Sequence, residues 1–279
     1  MDLKTLKNTP PWDWPEGAGK MLLEILGDER ALESERLLAV ELAGDFTVIG
    51  DDTVDALLSI LRNGKAPENL RAKAAISLGP ALDHADTEMY GFDDDSALVS
   101  EEAFVGIQDT LRKLYMDADV PKEVRRRILE ASVRAIQDWH QDAIQTAYRS
   151  DDEAWKVTAV FSMCWVRGFD EEILEALNSA DPEIHYQAVR AAGNWEVAAA
   201  WPHIAALVTS TGTKKNLRLA AIDAVASIHP QEAGTILHDL TDSDDEDIVE
   251  AVYEAMAVAE GLPPDDELDE DEDKDELIH

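Results

Sequence analysis

One frame of residues recurs along this chain about every thirty positions, and it restricts the possible folds more than any other feature. An acid or a proline opens the frame, an apolar residue followed by a cation comes two or three places on, and small or apolar residues continue at helical spacing. The clearest copy runs from Asp181 to Gly193, with Ile184, Ala188 and Ala192 as its apolar stripe. Others are built on Leu70 with Arg71, Val124 with Arg125, Trp155 with Lys156, Leu217 with Arg218, and Ile248; a weaker copy spans Ser34 to Gly44. From Val124 onward the steps between first apolar residues are 31, 29, 33 and 31 positions, whereas Leu70 to Val124 takes 54, which marks an insertion.

Between these copies lies a second helical pattern: Val54, Leu57, Leu58 and Leu61; Phe104, Ile107, Leu111 and Leu114; Ile173, Leu174 and Leu177; Ile204, Leu207 and Val208; Ile236, Leu237 and Leu240. Each unit is thus predicted to be a helical hairpin. A hairpin of that size cannot bury enough apolar area to offset its chain entropy alone, so hairpins must stack on one another. Asp or Pro at the start of the second helix suits an N-cap or first-turn position, typically worth ~1 kcal/mol. Ala in the stripe lets neighbours approach closely. The cation after the first apolar residue is expected to lay its stem on the core and pair with an acid of the next hairpin. The predicted fold is all-α: a right-handed α-solenoid of about six or seven hairpins.

The pattern Asp-Pro-x-Ile-x-x-x-Ala-x-x-x-Ala-Gly at residues 181–193, with its copies, resembles the HEAT repeat, especially the short type found in phycobilin lyases. The resemblance covers residues 20 to 260. It implies an α/α superhelix, a fold that hosts scaffolds, transport receptors, lyases, a glycosylase group and an iron hydroxylase, so function must be sought in a site. HEAT hydroxylases hold iron with His-Glu pairs, and none of the seven His here is followed by Glu. HEAT glycosylases need a basic face for DNA, which this chain lacks.

A net charge of -36, from 60 Asp plus Glu against 24 Lys plus Arg, repels phosphate at long range and argues against a nucleic-acid partner. Acidity also suits a basic protein partner, or simple solubility. Cys164 is the sole cysteine, which excludes an internal disulfide and a Cys-based zinc site; within Phe161–Trp165 it is expected to be a small buried hydrophobe. No stretch approaches the roughly 18 apolar residues of a membrane span, and residues 1–14 show no signal-peptide core, so a cytoplasmic monomer is expected. No phosphate loop, nucleophile elbow or spaced Cys/His pair occurs. Asp138-Trp139-His140 offers an acid beside a histidine, but packing at a helix boundary is the preferred reading. The chain is therefore expected to be non-enzymatic, with no catalytic residue, metal or cofactor.

Three segments interrupt the repeat. Residues 1–19, with Trp12 and Trp14 among prolines, are expected to be extended and to cap the first hairpin. The acidic insertion at 81–99, with Tyr90 and Phe92 around a glycine, reads as a solvated loop, and 262–279, with ten acids and one Lys, as a disordered tail.

If the first apolar residue of each second helix faces the core, positions two, three and six beyond it face away and line the concave side. There Arg126, Arg127, Arg134 and Arg190 would stand beside Phe161, Trp165 and Tyr186, with Gln187 among them. Arg with aromatics is the composition of interface hot spots, and the expected function is a scaffold or adaptor binding a protein or peptide on this face. The competing reading places Phe161 and Trp165 in the core and pairs Arg126 and Arg134 with acids at helical spacing. An acidic chaperone for a basic protein, or a phycobilin-lyase-like protein, are the alternatives.

Overall fold

The computed structural model describes residues 2–88 and 98–261, and among them every regular element is a helix. The chain divides into two compact units, residues 1–147 and 148–279. The tail at 262–279 and the stretch 89–97, with Tyr90 and Phe92, lie outside the described residues.

The first unit contains α1 (Leu3–Lys7), α2 (Ala18–Gly27), α3 (Glu33–Ala43), α4 (Asp51–Arg62), α5 (Glu68–Ser77), α6 (Gly79–Glu88), α7 (Glu101–Met116), α8 (Lys122–Ser132) and α9 (His140–Tyr148), which reaches its end. The second contains α10 (Glu153–Met163), α11 (Asp170–Ala176), α12 (Pro182–Asn194), α13 (Trp201–Thr209), α14 (Lys215–Ile228), α15 (Pro230–Leu237) and α16 (Glu246–Ala259). Hairpins α2/α3, α4/α5 and α7/α8 form the first unit, and α11/α12, α13/α14 and α15/α16 the second. Within each unit the second helices lie side by side, α3 with α5 and α8, and α10 with α12, α14 and α16. This is the layered stacking of an α-solenoid, present in both units as the repeat predicts.

The second helices start as the frame requires. The carboxylates of Asp152, Asp181 and Asp245 accept from backbone amides of the first turns of α10, α12 and α16, while Pro67 and Pro121 occupy the cap positions of α5 and α8. Glycines that end the frame serve a different purpose. A Cβ on Gly193 would meet Cα and Cβ of Ala224 on α14 at 2.9 Å, and one on Gly44 would meet the Ser77 carbonyl oxygen of α5 at 2.8 Å. Successive second helices therefore touch at backbone range, where no side chain fits.

The repeated arginine departs from expectation. Arg71 Nε donates to the Leu61 carbonyl oxygen at 2.9 Å, Arg36 to that of Leu26 at 3.3 Å, and Arg218 to that of Ser210. Each acceptor lies in the last turn or C-cap of the first helix of the same hairpin. The guanidinium answers carbonyls that a helix end leaves without an intrahelical donor, and it complements the negative end of the dipole. It thus closes its own hairpin instead of reaching an acid in the next.

Two other segments also differ from the sequence reading. The insertion begins as helix α6, whose Ala81, Leu82 and Ala85 are buried in the first unit's core. At the N-terminus, α1 buries Leu3 and Leu6, and the Trp14 indole donates to the Leu6 and Thr9 carbonyl oxygens at 3.1 and 2.9 Å; Trp12 points outward, 75% exposed. A short helix with one tryptophan thus covers the first hairpin where an extended segment was expected.

His140 is wholly buried in this unit. Its Nδ1 accepts from the Gln137 amide at 2.9 Å, so Nε2 carries the proton and donates to Ser132 Oγ at 3.0 Å, and that hydroxyl donates to the Leu129 carbonyl oxygen. Burial pushes its pKa down to about 4. A histidine that donates to the serine cannot take that serine's proton, and the pair is a packing element beside Trp139, whose ring centroid is 4.1 Å away.

Three outcomes are expected in urea unfolding. Gly193→Ala should cost about 1–3 kcal/mol by pushing α12 from α14. Arg71→Met should cost about 1–3 kcal/mol by leaving a buried helix-end carbonyl without its donor. Because the neutral His140 is favoured by the fold while the unfolded chain protonates near its ordinary 6.5, its contribution is complete above pH 6.5 and is lost as pH falls toward 4. The loss is about 3 kcal/mol, and His140→Gln should flatten that part of the stability profile.

Candidate functional site

The predicted face divides between the two units: Arg126, Arg127 and Arg134 belong to the first, and Phe161, Trp165, Tyr186, Gln187 and Arg190 to the second. Each group has its own environment.

On α8, Arg126 lies 2.7 Å from Glu123 and 3.7 Å from Glu130, and Arg127 lies 2.9 and 2.6 Å from the same two acids. Arg126 and Glu130 are buried, which makes this a closed four-charge cluster along one helix face. Removing one member of such a cluster would leave a buried charge without its counter-ion. Arg134 packs its guanidinium stem against Gly79 and reaches Asp83 of α6 at 3.9 Å. Arg126, Arg127 and Arg134 are therefore tied to carboxylates of their own unit.

In the second unit α10, α12 and α14 pack side by side, and Phe161 on α10, Trp165 just beyond it, Tyr186 and Arg190 on α12, and Leu219 on α14 are each half-buried. Thr158 and Gln187, expected to face away, are buried instead. A helix in the middle of a row has neighbours on both flanks, so the open strip is narrower than a simple two-faced helix predicts. Gln187 is held there by polar bonds: its Nε2 donates to Glu183 at 2.8 Å, and its Oε1 accepts from Arg190 at 3.3 Å. Cys164 donates weakly to the Gln187 carbonyl oxygen at 3.5 Å, and burial pushes its thiol up to about 11, so it is unreactive at neutral pH.

Two clefts flank this unit's hairpins. One, of about 720 Å³, is lined by Arg167, Asp170, Glu171, Glu172, Trp195 and Glu196, with the Arg167 guanidinium 4.8 Å from the Trp195 ring centroid. The other, of about 680 Å³, lies among α12, α13 and α14 and includes Glu183, His185, Tyr186 and Lys214. Beside it, His185 and His203 meet Nε2 to Nε2 at 2.8 Å, with ring centroids 5.0 Å apart. Burial is the main cause that lowers the pKa of both. No sequence motif announces this pair, since its members are 18 positions apart on different helices. Among the described residues no group of three or more His, Cys, Asp or Glu converges to hold a metal ion, and no helix is long and apolar enough to cross a membrane.

A family model described as HEAT repeats matches residues 171–257, which contain most of α11, all of α12 to α15 and most of α16. The chain is similar to the structure of human deoxyhypusine hydroxylase in complex with glycerol, at 15% identity and a TM-score of 0.40, over 93% of this chain and 88% of that one. No curated protein matches the sequence. The expectation that the chain is not an enzyme is withdrawn on the second finding: the similar chain is an enzyme, although a likeness of this strength assigns no activity here. The frame, the stacked hairpins and this match together place HEAT repeats at residues 171–257 of the chain.

Proposed function

We propose that this helical repeat scaffold binds an extended protein or peptide segment along the half-open strip of its second unit, through Phe161, Trp165, Tyr186 and Arg190. What supports this reading is that large aromatics and one guanidinium, none fully buried, recur at helical spacing on or just beyond neighbouring second helices. Such side chains present wide apolar area at low entropy cost, and arginine adds directional donors. The Arg126 and Arg127 pair contributes less, because a partner's carboxylate would have to displace Glu123 and Glu130 at 2.6 to 3.7 Å. Cytoplasmic residence belongs to the same reading.

A basic partner is a second reading, favoured by the cleft around Trp195. Four carboxylates line it, and Arg167 over the indole shows how a cationic side chain seats there.

The test is affinity capture from the native lysate, identification of the retained protein, and titration of that protein against variants. Arg190→Glu and Tyr186→Ala should each weaken binding about tenfold, ~1.4 kcal/mol, with an unchanged helical circular-dichroism spectrum. Equal affinity in both variants removes the strip from consideration. Binding that instead collapses between low and physiological salt, and on Glu171→Lys, assigns the partner to the carboxylate cleft.

A further inference from the structure

We propose that the contact between His185 of α12 and His203 of α13 is an acid-released latch, a pH-sensitive switch that ties α13 to α12 at neutral pH and frees the cleft between them once both rings are charged. The two Nε2 atoms meet at 2.8 Å across the joint between successive hairpins, and among the described residues this is the one side-chain hydrogen bond between the two helices. Their main packing lies elsewhere: α12 rests on α10, α11 and α14, and α13 on α14 and α15. The 680 Å³ cleft opens beside the pair, lined by His185 and Tyr186 from α12 and by Leu207 from α13. Both rings are half-buried, so each can turn into water when the bond is lost.

A bond between two imidazoles needs one proton between the facing nitrogens. In the neutral pair the donor ring carries it on Nε2, and the acceptor ring keeps its own on Nδ1. A first added proton goes to the free Nδ1 of the donor and leaves the facing bond in place, now charge-assisted. A second has only the acceptor's Nε2 to occupy, so two N–H groups and two positive charges then confront each other and the contact breaks. Burial disfavours charge on both rings, and the charge of His203 disfavours it further on His185. Glu183 and Tyr186 of α12 and Lys214 at the N-cap of α14 are the other titratable side chains around the cleft, and α13 carries no further charge. Neither they nor the acids of α10, α11 and α15 offset that penalty. With both values depressed in the folded chain, the latch is complete above the ordinary 6.5 and is lost as pH falls through the lowered values.

The test follows amide hydrogen exchange of the full chain by peptide mass spectrometry, corrected for the intrinsic effect of pH on exchange. Between about pH 7.5 and about pH 5 the protection of α13 should fall about tenfold, while that of α10 and α14 holds. A double variant, His185→Gln with His203→Gln, puts amides that do not titrate in place of both rings, and its α13 should be equally protected at the two pH values. His140→Gln, which removes the wholly buried imidazole of the first unit, should leave the drop in α13 as in the parent. A second measurement needs no variant: nitrogen-15 resonances of the imidazoles at neutral pH should show one ring of the pair protonated on Nε2 and the other on Nδ1, both titrating below the ordinary 6.5. Unchanged protection of α13 in acid, equal loss in every helix of the second unit, a drop that survives in the double variant or vanishes with His140→Gln, or two rings that titrate independently at the ordinary value overturns the latch.

Discussion

Backbone-range contact between successive second helices is the constraint on which the rest of this structure depends. A two-helix hairpin of this length has one apolar face on each helix and too little core of its own, so each must borrow cover from its neighbours. That loan is possible only where side chains are nearly absent. Gly44 against Ser77 in the first unit and Gly193 against Ala224 in the second supply such places, and within the second unit the Ala stripe of α12, with Ala188, Ala191 and Ala192 fully buried, extends that seam. The position of every other group, from the capping aspartates to the half-open aromatic strip, follows from how closely these helices lie.

The repeat was legible because period and residue type agree over many copies. Ile184, Val124, Leu70 and Ile248 are buried as their place in the frame predicts, and Asp152, Asp181 and Asp245 cap the helices they precede. Trp155 and Leu217 hold the same place yet are only half-buried, since a mark in the frame fixes direction and not the depth of cover. The spacing Ala81, Leu82, Ala85 carries a helical signal inside the acidic insertion, but the surrounding charge masks it in the sequence.

The candidate face was less legible, for two physical reasons. A one-dimensional wheel assigns each helix an inside and an outside, while a helix within a row is covered on two flanks, which is why Thr158 and Gln187 are buried. The partners of Arg126 and Arg127 could be read at three and four positions' distance, because Glu123 and Glu130 stand on the same helix. Contacts between helices leave no such trace. Arg134 with Asp83, and His185 with His203, depend on how far each hairpin turns relative to its neighbour, and no residue spacing encodes that angle.

The arginine that closes three of the hairpins, Arg36, Arg71 and Arg218, has a mechanical consequence. A guanidinium fixed to a helix-end carbonyl, as in Arg71 with Leu61 and Arg36 with Leu26, is a directional link that resists a change of angle between the two helices it spans. Contacts between hairpins are largely apolar and tolerate sliding, because dispersion and hydrophobic burial have no preferred direction. Under load, then, these hairpins should hold while the seams between them yield: the rigid body is the arginine-closed hairpin, and compliance lies along the joints.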